Sequence, residues 1–166
     1  MRKLTPDDSL EDLTELLHRA YAPLAASGLQ YLASHQSVDV TRRRCFAPNA
    51  HCFVAELKHI VVGTITLYTL TEQSHCKYYT KPGIARFGQF AVEPSLQRTG
   101  VGRALMDYIE NTVQSLNMSH IACDTAEHAH HLIAYYKRRQ YQQVDTVDWP
   151  VTNYVSVVLS KQLQTS

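Results

Sequence analysis

Phe90-Ala91-Val92-Glu93-Pro94-Ser95-Leu96-Gln97-Arg98-Thr99-Gly100-Val101-Gly102-Arg103-Ala104 reads as a strand that stops, a turn, and a helix that opens on glycines. Pro94 ends the strand, because proline cannot donate to a ladder and holds Glu93 in extended geometry. After the glycines, Val101, Leu105, Ile109 and Val113 recur every four residues and Leu116 completes the stripe, which predicts a helix of about four turns. The first amides of such a helix have no partner within it, and its macrodipole adds partial positive charge. A phosphate is therefore favoured along Gln97 to Ala104. Gly100 and Gly102 are expected to let main chain and ligand approach where a Cβ would collide, and Arg98 and Arg103 to add charge-assisted contacts.

Outward from this segment, His120 to Asp124 reads as a strand, Glu127 to Arg139 as a helix, and Val144 to Val147 and Tyr154 to Leu159 as strands separated by Trp149-Pro150. Upstream, Arg86 to Val92 is a strand. His51 to Thr71, rich in β-branched and aromatic residues, is a hairpin turning at Lys58-His59, and Glu72 to Gly83 is a polar loop. Residues 1 to 5 predict a short edge strand. Leu10, Leu13, Leu17 and Tyr21 share one face of a helix that starts in Thr5 to Ser9 and ends near Pro23, and Gln36 to Phe46 forms a second helix. Strands that flank a helix are usually parallel neighbours and hairpin strands are antiparallel, so the expected architecture is α/β with a mixed, mostly antiparallel central sheet and flanking helices.

Length and composition bound the rest. A chain of 166 residues, 45% hydrophobic, buries one core and reads as a single domain over 1–166. Sixteen Lys and Arg against fifteen Asp and Glu leave a net charge of +1, so no global field draws nucleic acid or membrane, and Arg42-Arg43-Arg44 reads as a solvated helix face. Cys45, Cys52, Cys76 and Cys123 lack close pairing and read as buried thiols. No apolar run reaches the ~20 residues of a membrane span and the first residues lack a signal-peptide core, which makes a cytoplasmic location the expectation. His128, His130 and His131 are spaced to face apart on a helix, so no metal is expected.

Glycines before a helix also open dinucleotide and P-loop motifs, but the former needs a third glycine where Leu105 stands and the latter Gly-Lys-Ser/Thr where Gly102-Arg103-Ala104 stands. Gln97, Gly100 and Gly102 instead match the Gln/Arg-x-x-Gly-x-Gly/Ala signature of the GNAT acetyltransferase superfamily, which the chain resembles from about residue 51 to 160. Phe90 to Pro94 is similar to the strand ending that precedes that signature, and Tyr135 to Tyr141 to an aromatic-Tyr-x-x-x-Gly-aromatic segment that follows it.

The resemblance implies a GNAT fold with a splayed pair of parallel strands, and acetyl-CoA as co-substrate. It places the pantetheine arm against the amides of Phe90, Ala91 and Val92 and the pyrophosphate on Gln97, Arg98, Thr99, Gly100, Val101, Gly102, Arg103 and Ala104. Tyr136 takes the general-acid position that protonates the departing thiolate. The implied acceptor is a primary amine, expected to be that of a small molecule because nothing in the sequence suggests an acidic or strongly basic docking surface, with a peptide or protein amine, or a non-catalytic acyl-CoA sensor, as the other readings. A homodimer fits the family's habit. Two departures stand out: Gln140 where the family has glycine, and Ala129 where it has asparagine. The general base is open among Glu56, His75, Glu93, Glu127 and a water chain.

Overall fold

A computed structural model describes residues 1–163. Strand β1 (Arg2–Lys3) leads to helix α1 (Leu10–Ala26) and the shorter α2 (Val38–Cys45). Then follow β2 (Ala50–Leu57), β3 (Ile60–Tyr68), β4 (Ile84–Val92), α3 (Val101–Ser115), β5 (His120–Ala126), α4 (His130–Arg138), β6 (Gln142–Asp148) and β7 (Val155–Gln162). The strands form one seven-stranded sheet in the order β1-β2-β3-β4-β5-β7-β6, in which only β4 and β5 pair in parallel. The mixed, mostly antiparallel architecture expected from the sequence is the one observed.

Several boundaries differ for local reasons. Ser9 caps α1 by accepting from the Asp12 amide at 3.1 Å, but the helix runs through Pro23 to Ala26. Pro23 lies in the last turns, where its missing N–H removes one bond and the Ser27 amide still reaches its carbonyl at 3.2 Å. Lys58 and His59 take φ of 48° and 65°, the left-handed pair that a tight hairpin turn requires. Leu116, assigned to the α3 stripe, lies past the helix end and is 47% exposed, whereas Leu105, Met106, Ile109 and Val113 are sealed. Helix α4 starts at His130, leaving Glu127 and His128 in the preceding turn. β6 is not β5's neighbour, because β7 inserts between them and pairs antiparallel with both.

The sheet separates two apolar layers, as period-two alternation dictates. Phe53, Ile65, Phe87, Ile121 and Leu159 face α3 and α4, while Val54 and Cys52 pack with Leu10 and Leu13 of α1 and Cys45 of α2. Each buried aliphatic side chain contributes about 1.5–3 kcal/mol. α3 lies tight on the sheet at Gly63, where a Cβ would stand 3.0 Å from Leu105 Cδ1. All four cysteines are buried and free. Among the described residues, no helix is long and apolar enough to cross a membrane.

Candidate active site

The turn between β4 and α3 builds a cradle of main-chain donors. A short 3-10 turn over Pro94–Leu96 is followed by Gln97 in extended geometry, Arg98 at φ 64° and Gly100 at φ 102°. Gly100 caps α3 without any side chain bonding the helix end. The amides of Gly100, Val101, Gly102 and Arg103 have no acceptor among the described residues, so they remain available to an anion. Beyond any room they leave for a ligand, the two glycines serve the protein itself in different ways. Around Gly100 a Cβ would meet no protein atom within 4 Å, so within the protein it is the backbone angle that calls for glycine. A Cβ on Gly102 would stand 3.3 Å from Phe90 Cζ and 3.5 Å from Val92 Cγ2, so this glycine lets α3 approach β4. Gln97 Nε2 donates to the Val92 carbonyl at 3.4 Å and Thr99 Oγ1 to the Leu96 carbonyl at 2.6 Å, tying the turn to the strand. Arg98 and Ala104 are exposed, and Arg103 is 81% exposed with Asp107 at 3.9 Å.

β4 and β5 stay paired only over Ile84–Arg86 and His120–Ala122, then part. A bulge sets the divergence: between Thr64 and Thr66 of β3 the β4 register slips by one residue, and Gln89 takes φ 50°. The Glu93 amide bonds the Val62 carbonyl on the β3 side, so by alternation the Val92 amide points into the opened gap. On the far side of the gap the Ala126 amide donates to the Tyr31 hydroxyl at 3.0 Å, and that hydroxyl also meets Thr125 Oγ1 at 2.7 Å. Tyr31 thus closes the end of β5 that β4 has abandoned.

Tyr136 reaches the gap from the α4 side. Its ring is 7% exposed and packs on Phe87, Tyr135 and Tyr141 at centroid distances of 5.9, 5.3 and 5.7 Å. Burial pushes its phenol well above the ordinary range, with the Cys123 thiol and the Tyr21 hydroxyl adding to the shift. Tyr21 belongs to α1 on the other face of the sheet, so groups from both faces bear on this phenol. A phenol so placed keeps its proton at neutral pH and can give it up only to a strong base forming beside it. Gln140 occupies the left-handed position that ends α4, at φ 71°. The Tyr141 amide bonds the Tyr136 carbonyl at 3.1 Å and the Gln140 amide the Lys137 carbonyl at 2.9 Å, which fixes the helix exit around Tyr136. The backbone therefore keeps a glycine-like exit without the glycine. Ala129, the other departure, is buried at the start of α4 and holds the Ile133 amide on its carbonyl at 3.1 Å.

Opposite α3 and α4, the second face of the gap is polar and aromatic. Tyr31 packs between Tyr21 and Tyr154, at 5.5 and 4.9 Å. Asp124 of β5 accepts from Tyr79 Oη at 2.7 Å and Trp149 Nε1 at 2.8 Å. A buried amide chain lies behind these groups: Gln36 Nε2 donates to Gln89 Oε1 at 2.8 Å, and Gln89 Nε2 to Thr66 Oγ1 at 3.0 Å. Arg44 Nη1 donates to Gln36 Oε1 at 2.6 Å, so the guanidinium is tied through this chain to the bulge.

The structure brings Phe90, Ala91, Val92, the Gln97 to Ala104 turn and Tyr136 around one gap. It disperses the carboxylates considered as bases: Glu56 pairs with Arg2 at 2.8 Å, Glu93 with Arg19 at 2.9 Å, and Glu127 lies beside His128 at 3.5 Å. His75 is edge-on to Trp149 at 6.1 Å. Sequence reasoning missed Tyr21, Tyr31, Arg44 and Asp124. Asp124 was readable only as a polar break in an apolar strand, and Arg44 only as the last member of an arginine run.

Known proteins resemble this chain in sequence and in fold. The sequence model of the Acetyltransferase (GNAT) family matches residues 10–141. S-(2-succino)cysteine N-acetyltransferase of Bacillus subtilis (strain 168) is 28% identical over 164 residues, covering 98% of this chain and 95% of that protein. A Streptococcus mutans UA159 protein of known structure superposes with a TM-score of 0.75 at 21% identity, over 98% of both chains. An aminoglycoside 6'-N-acetyltransferase solved in complex with coenzyme A superposes with a TM-score of 0.66 at 14% identity, over 99% of this chain and 97% of that one.

Proposed function

The chain belongs to the GNAT family of acetyltransferases, and from that premise we propose that it moves the acetyl group of acetyl-CoA to the primary amine of a small, amino-acid-like molecule by direct attack. The observation that carries this reading is the juxtaposition of unpartnered amides at the start of α3 with the gap between β4 and β5. Diphosphate fits the first and an elongated amide-bearing arm the second, and the coenzyme supplies both together with the activated acetyl group.

The residues divide the work by place. Gly100, Val101, Gly102 and Arg103 offer main-chain donors to the pyrophosphate, with the Arg98 and Arg103 side chains exposed beside it. The Val92 amide meets the arm as a strand partner would. The amine enters from the Tyr21 and Tyr31 face, its nitrogen bonds to the acetyl carbon, and the carbon–sulfur bond breaks. Tyr136 donates its proton to the departing sulfur, and the ammonium proton passes to water or Asp124 and from there back to the Tyr136 phenolate, restoring the phenol. The favoured acceptor is the compound named for the B. subtilis relative, S-(2-succino)cysteine, or a near analogue.

Tyr136→Phe keeps the ring packing and removes only the hydroxyl. It should bind acetyl-CoA with unchanged thermal stabilisation yet lose about 10²- to 10⁴-fold in turnover. A Phe variant with wild-type turnover would remove Tyr136 from the mechanism, and a wild type that binds coenzyme A but acetylates no amine would favour a sensor.

A further inference from the structure

Arg44 and Arg86 are left over by the chemistry above. Both side chains are half-buried, and among the described residues neither has a carboxylate within ion-pair distance. Arg86 Cζ stands 4.1 Å above the Tyr68 ring and 5.6 Å from the Tyr79 ring, with only a long 3.4 Å contact from Nε to Thr71 Oγ1. Arg44 spends one donor on Gln36, and its charge bears on the Tyr68 hydroxyl. Tyr68 therefore lies under the influence of both cations, with Arg86 over its ring face. A guanidinium carries five donors, and a half-buried one with most of them idle is poorly compensated.

Their place in the fold makes this specific. Arg86 is the last β4 residue paired with β5 before the strands part, and Gly88, two residues on, has Arg44 Nη2 3.5 Å from where a Cβ would stand. Both arginines thus border the gap on the face where the amine enters. Across it stands Asp124, whose charge and that of Arg44 both bear on the Tyr21 hydroxyl. One negative group on β5 faces two positive groups on β4 and α2.

We infer that Arg44 and Arg86 form a two-point receptor for the carboxylates of an anionic amino-acid acceptor, while Asp124 receives its ammonium group. The inference rests on the acetyl-transfer reading and adds the residues that select the acceptor and the feature they select: an amine carrying at least two carboxylates, one for each arginine. S-(2-succino)cysteine, with one amine and three carboxylates, has that form.

The test is steady-state acetylation by the full chain, with S-(2-succino)cysteine and its carboxyl methyl esters as probes and wild type, Arg44→Gln, Arg86→Gln and Arg44→Lys as enzymes. Wild type should prefer the free acid over the esters. Each Gln variant should raise KM for the acid about ten- to hundredfold, with the loss in KM rather than in kcat and with KM for acetyl-CoA unmoved. Arg44→Lys should recover part of the loss, and added salt should weaken acid binding but not ester binding. A wild type that acetylates acid and esters equally overturns the receptor even if the variants misfold, and so do Gln variants with a wild-type KM. If the wild type acetylates esters or neutral amines and rejects the acid, the receptor falls while acetyl transfer stands. If it acetylates nothing, both fall.

Discussion

Replacing Gln140 by glycine should make the protein more stable. Gln140 is exposed, its side chain makes no hydrogen bond among the described residues, and its backbone sits at φ 71°. A Cβ in that left-handed region costs about 1–2 kcal/mol, against which glycine loses about 0.5–1 kcal/mol more chain entropy on folding. The net gain is about 0.5–1 kcal/mol. A transition entropy of about 2.1 cal/mol/K per residue over the 166 residues turns this into a rise in Tm of about 1–3 °C. Urea and thermal unfolding of Gln140→Gly, Gln140→Asn and Gln140→Ala would show it: Gly gains, Asn gains less because it tolerates the left-handed region, and Ala gains nothing because it keeps the Cβ. The helix exit that the Tyr141 and Gln140 amides hold should persist in all of them, so turnover stays at the wild-type level. An alanine variant as stable as the glycine variant, or a glycine variant that melts earlier, would refute the strain argument.

Other consequences are simpler to state. Gly102→Ala should cost about 1 kcal/mol by crowding Phe90 at 3.3 Å, whereas Gly100→Ala should cost about 1–2 kcal/mol through its φ of 102° and should also reduce the thermal shift given by coenzyme A. Ser156→Ala should be neutral or stabilising by about 1 kcal/mol, since Ser156 Oγ is the buried side-chain polar atom without a partner among the described residues; a loss of more than 1 kcal/mol in urea would argue otherwise. Asp8 takes a two-point grip from Arg2, at 2.7 and 2.9 Å, which holds its carboxyl well below the ordinary range. A depressed folded pKa gives stability that is full above the ordinary value of about 3.9, shrinks as pH falls below it, and is gone only once pH has passed through the depressed folded value. Asp8→Asn should therefore lower the urea midpoint most at pH 7 and by less at pH 2.5, where part of the linkage has gone, and parallel curves would exclude the linkage.

The sequence displayed the back of the site better than its front. The stop at Pro94 and the spacing of Val101, Leu105, Ile109 and Val113 are local patterns, so the turn and α3 were legible residue by residue. Helix ends were less so: Pro23 reads as a stop, yet the last turn tolerates it because packing of α1 supplies more than one lost hydrogen bond removes. The amine-side wall joins Tyr21, Arg44, Asp124 and Tyr154 from separate segments with no shared period, and no window of sequence contains it. Arg139, which reads as a cation completing a helix dipole, turned out to grip Asp107 at 2.7 Å and the buried Glu110 at 3.0 Å, contacts that only the tertiary fold creates.

The parting of β4 from β5 gives the sheet an edge in its own middle. Such an edge ordinarily invites another strand, and proteins blunt it at their rims with charge or proline. Here it is recessed between helices, with Tyr31 sealing one end, so only something as slender as an extended chain can pair with it. In the empty protein the Val92 amide should exchange its hydrogen with water far faster than the paired Ala85 amide, and slow sharply when the gap fills. Recognition of that kind is written in main chain, so side chains along the slot can drift widely while the groove, and what it grips, stays the same.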